Sequence, residues 1–316
     1  MKEKIKQLLK EFYLIQCKNW VKSTGSGKSA AGTTLEHLLG KQEDSLPLPD
    51  YLGIELKTKL ITSKYDVRLF SAVLDNKPDL MNKLWEMCSW KCTRNGGTQA
   101  LYDNFNAIEY SNTHRKYAFK MHVNYERKCV ELLLYNNWDK KNVDINMSWS
   151  FRELEQRLKI KLSYMALVHA EKFVNKTTKE EKFKYLDMTI YKLKSFDAFL
   201  KLLEQGIISV DLKMYPFKEL ERQDKFRNRE TTFCISQENL PLLFEKIDTN
   251  DYVISWKNQL FCWFFYSTVT DFAKFLGLSM SQPLSLATLY DKSCNGIIVK
   301  IDSNIGCIFL IVIISS

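Results

Sequence analysis

In the run from Gly53 to Thr58, Gly-Ile-Glu-Leu-Lys-Thr, apolar Ile54 and Leu56 alternate with charged Glu55 and Lys57. A period of two marks a half-buried strand, because successive side chains leave opposite faces of a pleated backbone. It sends Ile54 and Leu56 into a core and sets Glu55 and Lys57 side by side on the other face. Asp50 stands upstream, after Pro49, at the turn entering that strand. Two carboxylates and an amine are thereby held near one another. Oxygen ligands from Asp50 and Glu55 suit Mg²⁺, which binds through one or two carboxylates and is completed by water and phosphate oxygens. An ammonium beside them orients an attacking water and offsets charge building on a phosphoryl centre. A Glu-x-Lys pair alone is a common solvated arrangement on a strand. The Asp50 turn and the flanking residues are what weigh against that reading.

Upstream runs Gly32-Thr33-Thr34-Leu35-Glu36-His37-Leu38-Leu39-Gly40. Leu35, Leu38 and Leu39 fall on one helical face, and Gly40 is placed to end the helix. Thr33-Thr34-Leu35-Glu36 also has the form of a capping box, with Glu36 at the third helical position. Joined to Asp50…Glu55-Leu56-Lys57-Thr58, these residues resemble the mismatch-repair nicking enzyme and Sau3AI-type nucleases. The four residues between Asp50 and Glu55 resemble more closely the MvaI/BcnI family of Type II restriction endonucleases, within the PD-(D/E)XK superfamily. The resemblance continues through Trp149-Ser150-Phe151, Leu158, Leu162 and Tyr164, and through Gly206 to Asp211, and covers roughly residues 1–245.

The resemblance implies an α/β (α+β) fold, a mixed sheet flanked by helices with a second DNA-recognition lobe. It implies Mg²⁺ held between Asp50, Glu55 and the Leu56 carbonyl, Lys57 orienting the attacking water, and Glu36 supporting the site. It further implies site-specific hydrolysis of double-stranded DNA at a short GC-rich site. The enzyme would act as a monomer, one strand at a time, leaving a 5′-phosphate and a 3′-hydroxyl. A companion DNA methyltransferase would protect the host site. A mismatch-repair-type nicking endonuclease and a non-catalytic DNA-binding protein are the alternatives. The first would depend on a mismatch-recognition partner, and the second would not need the acidic and lysine set.

Charge agrees with a polyanionic partner: the net charge is +9 over 316 residues and the pI is near 8.9. Residues 251–316 set Asp251, Asp271, Asp291 and Asp302 against Lys257, Lys274, Lys292 and Lys300. The whole excess therefore belongs to residues 1–250. Cysteines 17, 88, 92, 129, 234, 262, 294 and 307 are scattered. No secretory core is evident, since Lys10 and Glu11 interrupt the first apolar stretch. Reduced thiols and a cytoplasmic setting are expected. Cys88 and Cys92 read as sharing a helix face, with no second Cys/His pair at zinc spacing.

Along the chain, residues 2–15 read as an amphipathic helix, with Ile5, Leu8, Leu9 and Phe12 on one face. Ser23 to Ser29 fails as a phosphate loop: position 22 is lysine where the motif needs glycine, and no convincing strand precedes it. Lys22 and Lys28 there are candidates for DNA phosphates. Asp66–Ser71 reads as the next strand of the catalytic sheet. Lys116–Asn124 and Val130–Tyr135 read as a strand pair around the turn Tyr125–Lys128. Phe151–Leu162 reads as a helix capped by Ser148 or Ser150. Met165–Glu171 and Lys182–Leu186 read as strands. Phe196–Gln205 reads as a helix closed by Gly206, Ile207–Tyr215 as a strand, and Glu238–Ile247 as a last helix.

Lys213 to Thr232 collects Lys213, Lys218, Arg222, Lys225, Arg227, Asn228 and Arg229, with Tyr215, Phe217 and Phe226 among them. Arg grips guanine O6/N7 bidentately and Asn reads adenine, so the segment is equipped for base readout; a solvated charged loop is the plain alternative. Family members place histidines around this point, where this chain has Arg-Asn-Arg. The expected division is a catalytic lobe at 1–150, a recognition lobe at 151–250, and an atypical tail at 251–316, read as read-through or disordered sequence. The apolar run Ile305–Ile314 is too short to span a bilayer; a peripheral membrane anchor is the competing reading.

Overall fold

The chain begins with helix α1 (Lys2–Cys17), which buries Ile5, Leu8, Leu9, Phe12 and Ile15 along one side. That is the stripe its sequence spacing calls for. Strand β1 (Trp20–Lys22) and helix α2 (Ala30–Leu38) follow, then β2 (Glu55–Leu60), β3 (Val67–Ala72), α3 (Pro78–Cys88), β4 (Trp90–Cys92) and β5 (Thr98–Phe105). A meander of β6 (Tyr117–Asn124), β7 (Cys129–Asn136) and β8 (Lys141–Ser150) leads into α4 (Phe151–Leu162). The long strands β9 (Tyr164–Val174) and β10 (Glu181–Leu193) precede α5 (Phe196–Glu204) and β11 (Ile208–Pro216). Then come β12 (Phe226–Asn228), β13 (Thr231–Ile235), α6 (Leu240–Leu243) and β14 (Phe244–Lys246). This computed structural model describes residues 1–41, 48–72, 78–92, 98–111, 115–216, 226–228, 231–249, 286–291, 296–301 and 308–312.

Two units divide the chain, Met1–Val253 and Ile254–Ser316. In the first, the sheet that carries Glu55 has the order β1-β10-β9-β2, with β14 also on β10. Among its described pairings only β2 and β9 run parallel, with Glu55 opposite Met165 and Lys57 opposite Leu167. A second sheet has the order β3-β13-β11-β5-β4, with β12 on β11, and β6-β7-β8 form a third. The described strands of the second unit are β15 (Leu286–Asp291), β16 (Gly296–Ile301) and β17 (Ile308–Val312), an antiparallel sheet of their own. No helix among the described residues is long and apolar enough to cross a membrane.

The sheet that carries Glu55 is covered on both faces. Ile54, Leu56, Ala166, Val168 and Ala170 pack with α1 and α2 in one apolar cluster. Met165 and Leu167 join the other cluster, with Leu154, Leu158 and Leu162 of α4 and the strands of the second and third sheets. Tyr185 fastens β10 to α2 by donating its buried hydroxyl to the Ala31 carbonyl at 2.7 Å. Helix α4 spans the predicted residues, and Ser150 Oγ accepts the Glu153 amide at 3.3 Å. Helix α5 closes at Gly206, whose φ of +69° a side chain resists. A Cβ there would also meet Ile108 at 2.6 Å.

Several expectations are corrected. The boundary at residue 150 does not separate two lobes, because β9, β10 and β14 complete the sheet that β2 begins. Strand β3 forms as expected but pairs with β13 in the second sheet, Val67 opposite Ile235. Cys88 ends α3 while Cys92 lies in β4, so they share no helix face. The last helix is one short turn with Pro241 at its start, and from Phe244 the chain pairs with Leu193 of β10 instead. A short strand, β1, does precede Ser23–Ser29, although Lys22 still stands where a phosphate loop needs glycine.

Candidate active site

The spacing of Asp50 and Glu55 is explained by a two-residue turn. Tyr51 and Ile54 exchange backbone hydrogen bonds, Tyr51 N–H to Ile54 O at 3.0 Å and Ile54 N–H to Tyr51 O at 2.8 Å. Between them Leu52 and Gly53 both take positive φ, +52° and +83°. Left-handed dihedrals at both central positions define the tightest hairpin turn. Asp50 and Glu55 therefore flank the bridged pair on opposite arms. Glycine adopts such a φ freely, while a residue with a Cβ is strained by roughly 1–2 kcal/mol. The space around Gly53 is otherwise open, since a Cβ there would meet no atom nearer than 4.0 Å. Gly53→Ala is accordingly expected to lower unfolding free energy by about 1–2 kcal/mol through the backbone alone, checked by urea denaturation.

Each carboxylate oxygen has a donor. The Leu56 amide donates to Asp50 Oδ2 at 3.0 Å, and Lys41 Nζ to Asp50 Oδ1 at 2.8 Å. Lys57 Nζ donates to Glu55 Oε1 at 2.7 Å, and Lys161 Nζ to Glu55 Oε2 at 3.3 Å. Burial pushes the Asp50 carboxyl pKa upward. The hydrogen bonds from Lys41 and Leu56, with the charges of Lys41 and Lys161, outweigh it and leave the group below its ordinary value. Glu55 is buried, at 3 % exposure. That departs from a half-exposed strand face, and the reason is α4, whose Leu158 and Leu162 belong to the cluster against this side of the sheet.

Glu36 is half-buried within α2, and its carbonyl accepts the Lys41 amide at 2.9 Å. Helix α2 starts at Ala30, so Glu36 lies in its body and the capping-box reading does not hold. Thr34 instead accepts the Thr24 amide at 3.0 Å, and His37 Nδ1 lies 2.7 Å from Thr24 Oγ1. Among the described residues no three His, Cys, Asp or Glu side chains gather to hold one ion. The acidic oxygens at the turn are a pair, which fits a cation that takes one or two carboxylates and leaves the rest to water and phosphate.

Lys41 and Lys161 were not legible as site residues. Lysine carries no pattern in a basic chain, and only the β2–β9 pairing brings the end of α4 beside Glu55. Of the proposed DNA contacts, Lys22 is exposed, 3.6 Å from Glu180, and Lys28 lies 5.4 Å from the centre of the Tyr65 ring. Lys213 donates to Asp211. Arg227 and Asn228 lie in β12, opposite Tyr215 and Met214 of β11. Arg222, Lys225 and Arg229 fall outside the described residues, as do Lys218 and Phe217.

Comparison with protein families matches residues 9–244 to the MvaI/BcnI restriction endonuclease family. Among solved structures, the chain is similar to a restriction endonuclease MvaI–cognate DNA substrate complex, with a TM-score of 0.71 and 24% identity. That match covers 78% of this chain and 98% of the other. Restriction endonuclease MvaI in the absence of DNA matches at a TM-score of 0.51 with the same coverage and identity. Comparison with curated proteins gives no match. The fold and the family match define a site-specific deoxyribonuclease, a Type II restriction endonuclease acting on DNA. The chain belongs to the MvaI/BcnI restriction endonuclease family. Restriction endonucleases of this kind generally use a divalent metal.

Proposed function

We propose that the metal is Mg²⁺, that the site is of the PD-(D/E)XK type, and that its residues are Asp50, Glu55, the Leu56 carbonyl, Lys57 and Glu36. The observation that carries this is the turn at Leu52-Gly53, which sets Asp50 and Glu55 on facing arms with Lys57 on Glu55 at 2.7 Å. When bound, Mg²⁺ supplies Lewis-acid stabilisation of the phosphate oxygens. The chain's own residues do the rest. Ammonium and amide donors orient Asp50 and Glu55, and those on Asp50 hold its carboxyl below the ordinary value. Lys57, held by Glu55, places its ammonium beside the attacking water and opposes charge growing on the phosphate. Burial of Glu55 excludes bulk water, which strengthens these interactions. Glu36 steadies the site through the Lys41 turn.

The partner is double-stranded DNA, cut to a 5′-phosphate and a 3′-hydroxyl at a short GC-rich site by a monomer acting one strand at a time. Protection of host DNA falls to a companion methyltransferase, and the working compartment is the cytoplasm. Lys22 and Lys28 meet phosphates. Lys213, Arg222, Lys225, Arg227, Asn228 and Arg229 read bases or grip the backbone around β11 and β12. The test is digestion of a plasmid by purified protein with Mg²⁺, followed by sequencing of the ends. Ends sharing one short sequence support the reading. Intact plasmid, or cleavage only when a mismatch-recognition protein is added, would overturn it.

Two further expectations arise here. Alanine at Arg227, Asn228 or Arg229 is expected to cost roughly 1–3 kcal/mol and to relax individual target positions. Alanine at Lys22 or Lys28 is expected to weaken binding to every sequence and flatten its salt dependence. Cleavage of a set of single-base-changed sites, with binding across a salt series, separates the two behaviours. Truncation after Asn250 is expected to retain cleavage, since the family match ends at 244 and the basic excess lies before 251. Plasmid cleavage by the truncated chain checks this, and a folded but inactive product would make the tail a functional element.

A further inference from the structure

Glu55 presents two oxygens, and each is taken by a different ammonium. Oε1 is held by Lys57, its neighbour on the same face of β2, and Oε2 by Lys161 from the last turn of α4, at 3.3 Å. The Lys161 side chain is 25% exposed while that of Glu55 is 5% exposed, so the lysine reaches in from the rim to a carboxylate the fold has closed over. Its charge also acts on Asp50. One turn earlier on α4, Arg157 Nη1 donates to the Ser71 carbonyl of β3 at 3.2 Å. Leu154, Leu158 and Leu162 bury the rest of the helix. The end of α4 is thus fixed by its packing and by a hydrogen bond to the second sheet, and Lys161 is delivered to Glu55 from a firm base.

We propose that Lys161 is a positioning residue of the active site. It holds Glu55 Oε2 as a cationic placeholder, competes there with the divalent metal, and fixes the orientation in which Glu55 receives it. The inference rests on the Asp50–Glu55 metal site proposed above. A cation arriving at Glu55 needs an oxygen free. Lys57 keeps Oε1 because its ammonium serves the attacking water, which leaves Lys161 as the group displaced. Two consequences have opposite sign. Without the lysine, the ion meets no competing ammonium at Oε2, so metal binds more tightly. Displaced from Oε2, Lys161 still stands beside the site from the end of α4, where its charge also acts on Asp50, and keeps the carboxylates oriented. Without it, small misplacements of reacting groups are costly in rate. A side chain that only propped the fold would loosen metal binding and slow cleavage together.

The experiment compares wild type, Lys161→Met and Lys161→Arg in two measurements. Mn²⁺ affinity is titrated by electron paramagnetic resonance without DNA, and single-turnover plasmid cleavage is timed at saturating Mg²⁺. Lys161→Met is expected to bind Mn²⁺ at least about threefold more tightly, the effect of removing a partly exposed ion-pair partner. It is expected to cleave about 10–100-fold more slowly. Lys161→Arg, which keeps the charge, is expected to lie near wild type in both. Unchanged Mn²⁺ affinity, weaker Mn²⁺ binding, or an unchanged rate in Lys161→Met would each overturn the proposal. If wild type leaves DNA intact, the nuclease site itself fails, and the direction of the Mn²⁺ shift still decides the role of Lys161.

Discussion

Asp50→Ala and Glu55→Ala proteins are expected to bind DNA and leave it uncut. The carboxylates face ammonium groups and the Leu56 amide, and repel phosphate, so few DNA contacts depend on them. Their loss removes the oxygens that would hold the metal, and with it the stabilisation of the transition state. Lys57→Ala is expected to slow cleavage by at least about 10²-fold, the scale for removing one preorganised electrostatic group. Gel-shift binding in Ca²⁺ and single-turnover cleavage in Mg²⁺ check the three variants together. Near wild-type cleavage by Lys57→Ala would remove it from the mechanism. Loss of DNA binding in step with cleavage would make the carboxylates structural.

Trp149→Ala is expected to destabilise the first unit by about 3–5 kcal/mol, the usual cost of emptying a large aromatic site in a core. Trp149 is 1% exposed at the end of β8, where its ring meets Phe233 edge-on at 5.6 Å. Phe233 in turn stacks on Phe70 at 5.1 Å and meets Phe199 at 5.6 Å. One side chain therefore ties the third sheet to β13, β3 and α5. The indole N–H finds no hydrogen-bond partner among the described residues. Trp149→Phe, which keeps a ring and removes that donor, is expected to cost far less than Trp149→Ala. Urea unfolding of both checks this, and equal losses would show that packing of the ring is not what the site supplies.

What the sequence made legible was local. The alternation at Gly53–Thr58, the apolar stripe of α1, the β6–β7 hairpin and the Ser150 cap of α4 depend on residues within a few positions of one another. The partners of those elements depend on the whole chain. Nothing in Glu55-Leu56-Lys57 announces that β2 lies parallel to β9, more than a hundred residues on. That pairing, with α4 leading into β9, buries Glu55 and brings Lys161 to it. Val67–Ala72 shows the same limit, since its strand character is local and its place beside β13 is not. Asp50, Glu55 and Lys57 could be picked out because the alternation sets Glu55 beside Lys57 just after the Asp50 turn, and because the flanking residues resemble a known family. Lys41 and Lys161 are two lysines among many, and only the folded chain singles them out.

The most direct measurement is the position of a metal ion. Crystals of the protein soaked in Mn²⁺, which carboxylate, carbonyl and water ligands suit, would show it by anomalous scattering. One peak is expected at the turn, bound by Asp50, Glu55 and the Leu56 carbonyl, with Lys57 retained on Glu55 and Lys161 moved off Oε2. A peak elsewhere, or none there with both carboxylates still held by their lysines at saturating metal, would contradict it.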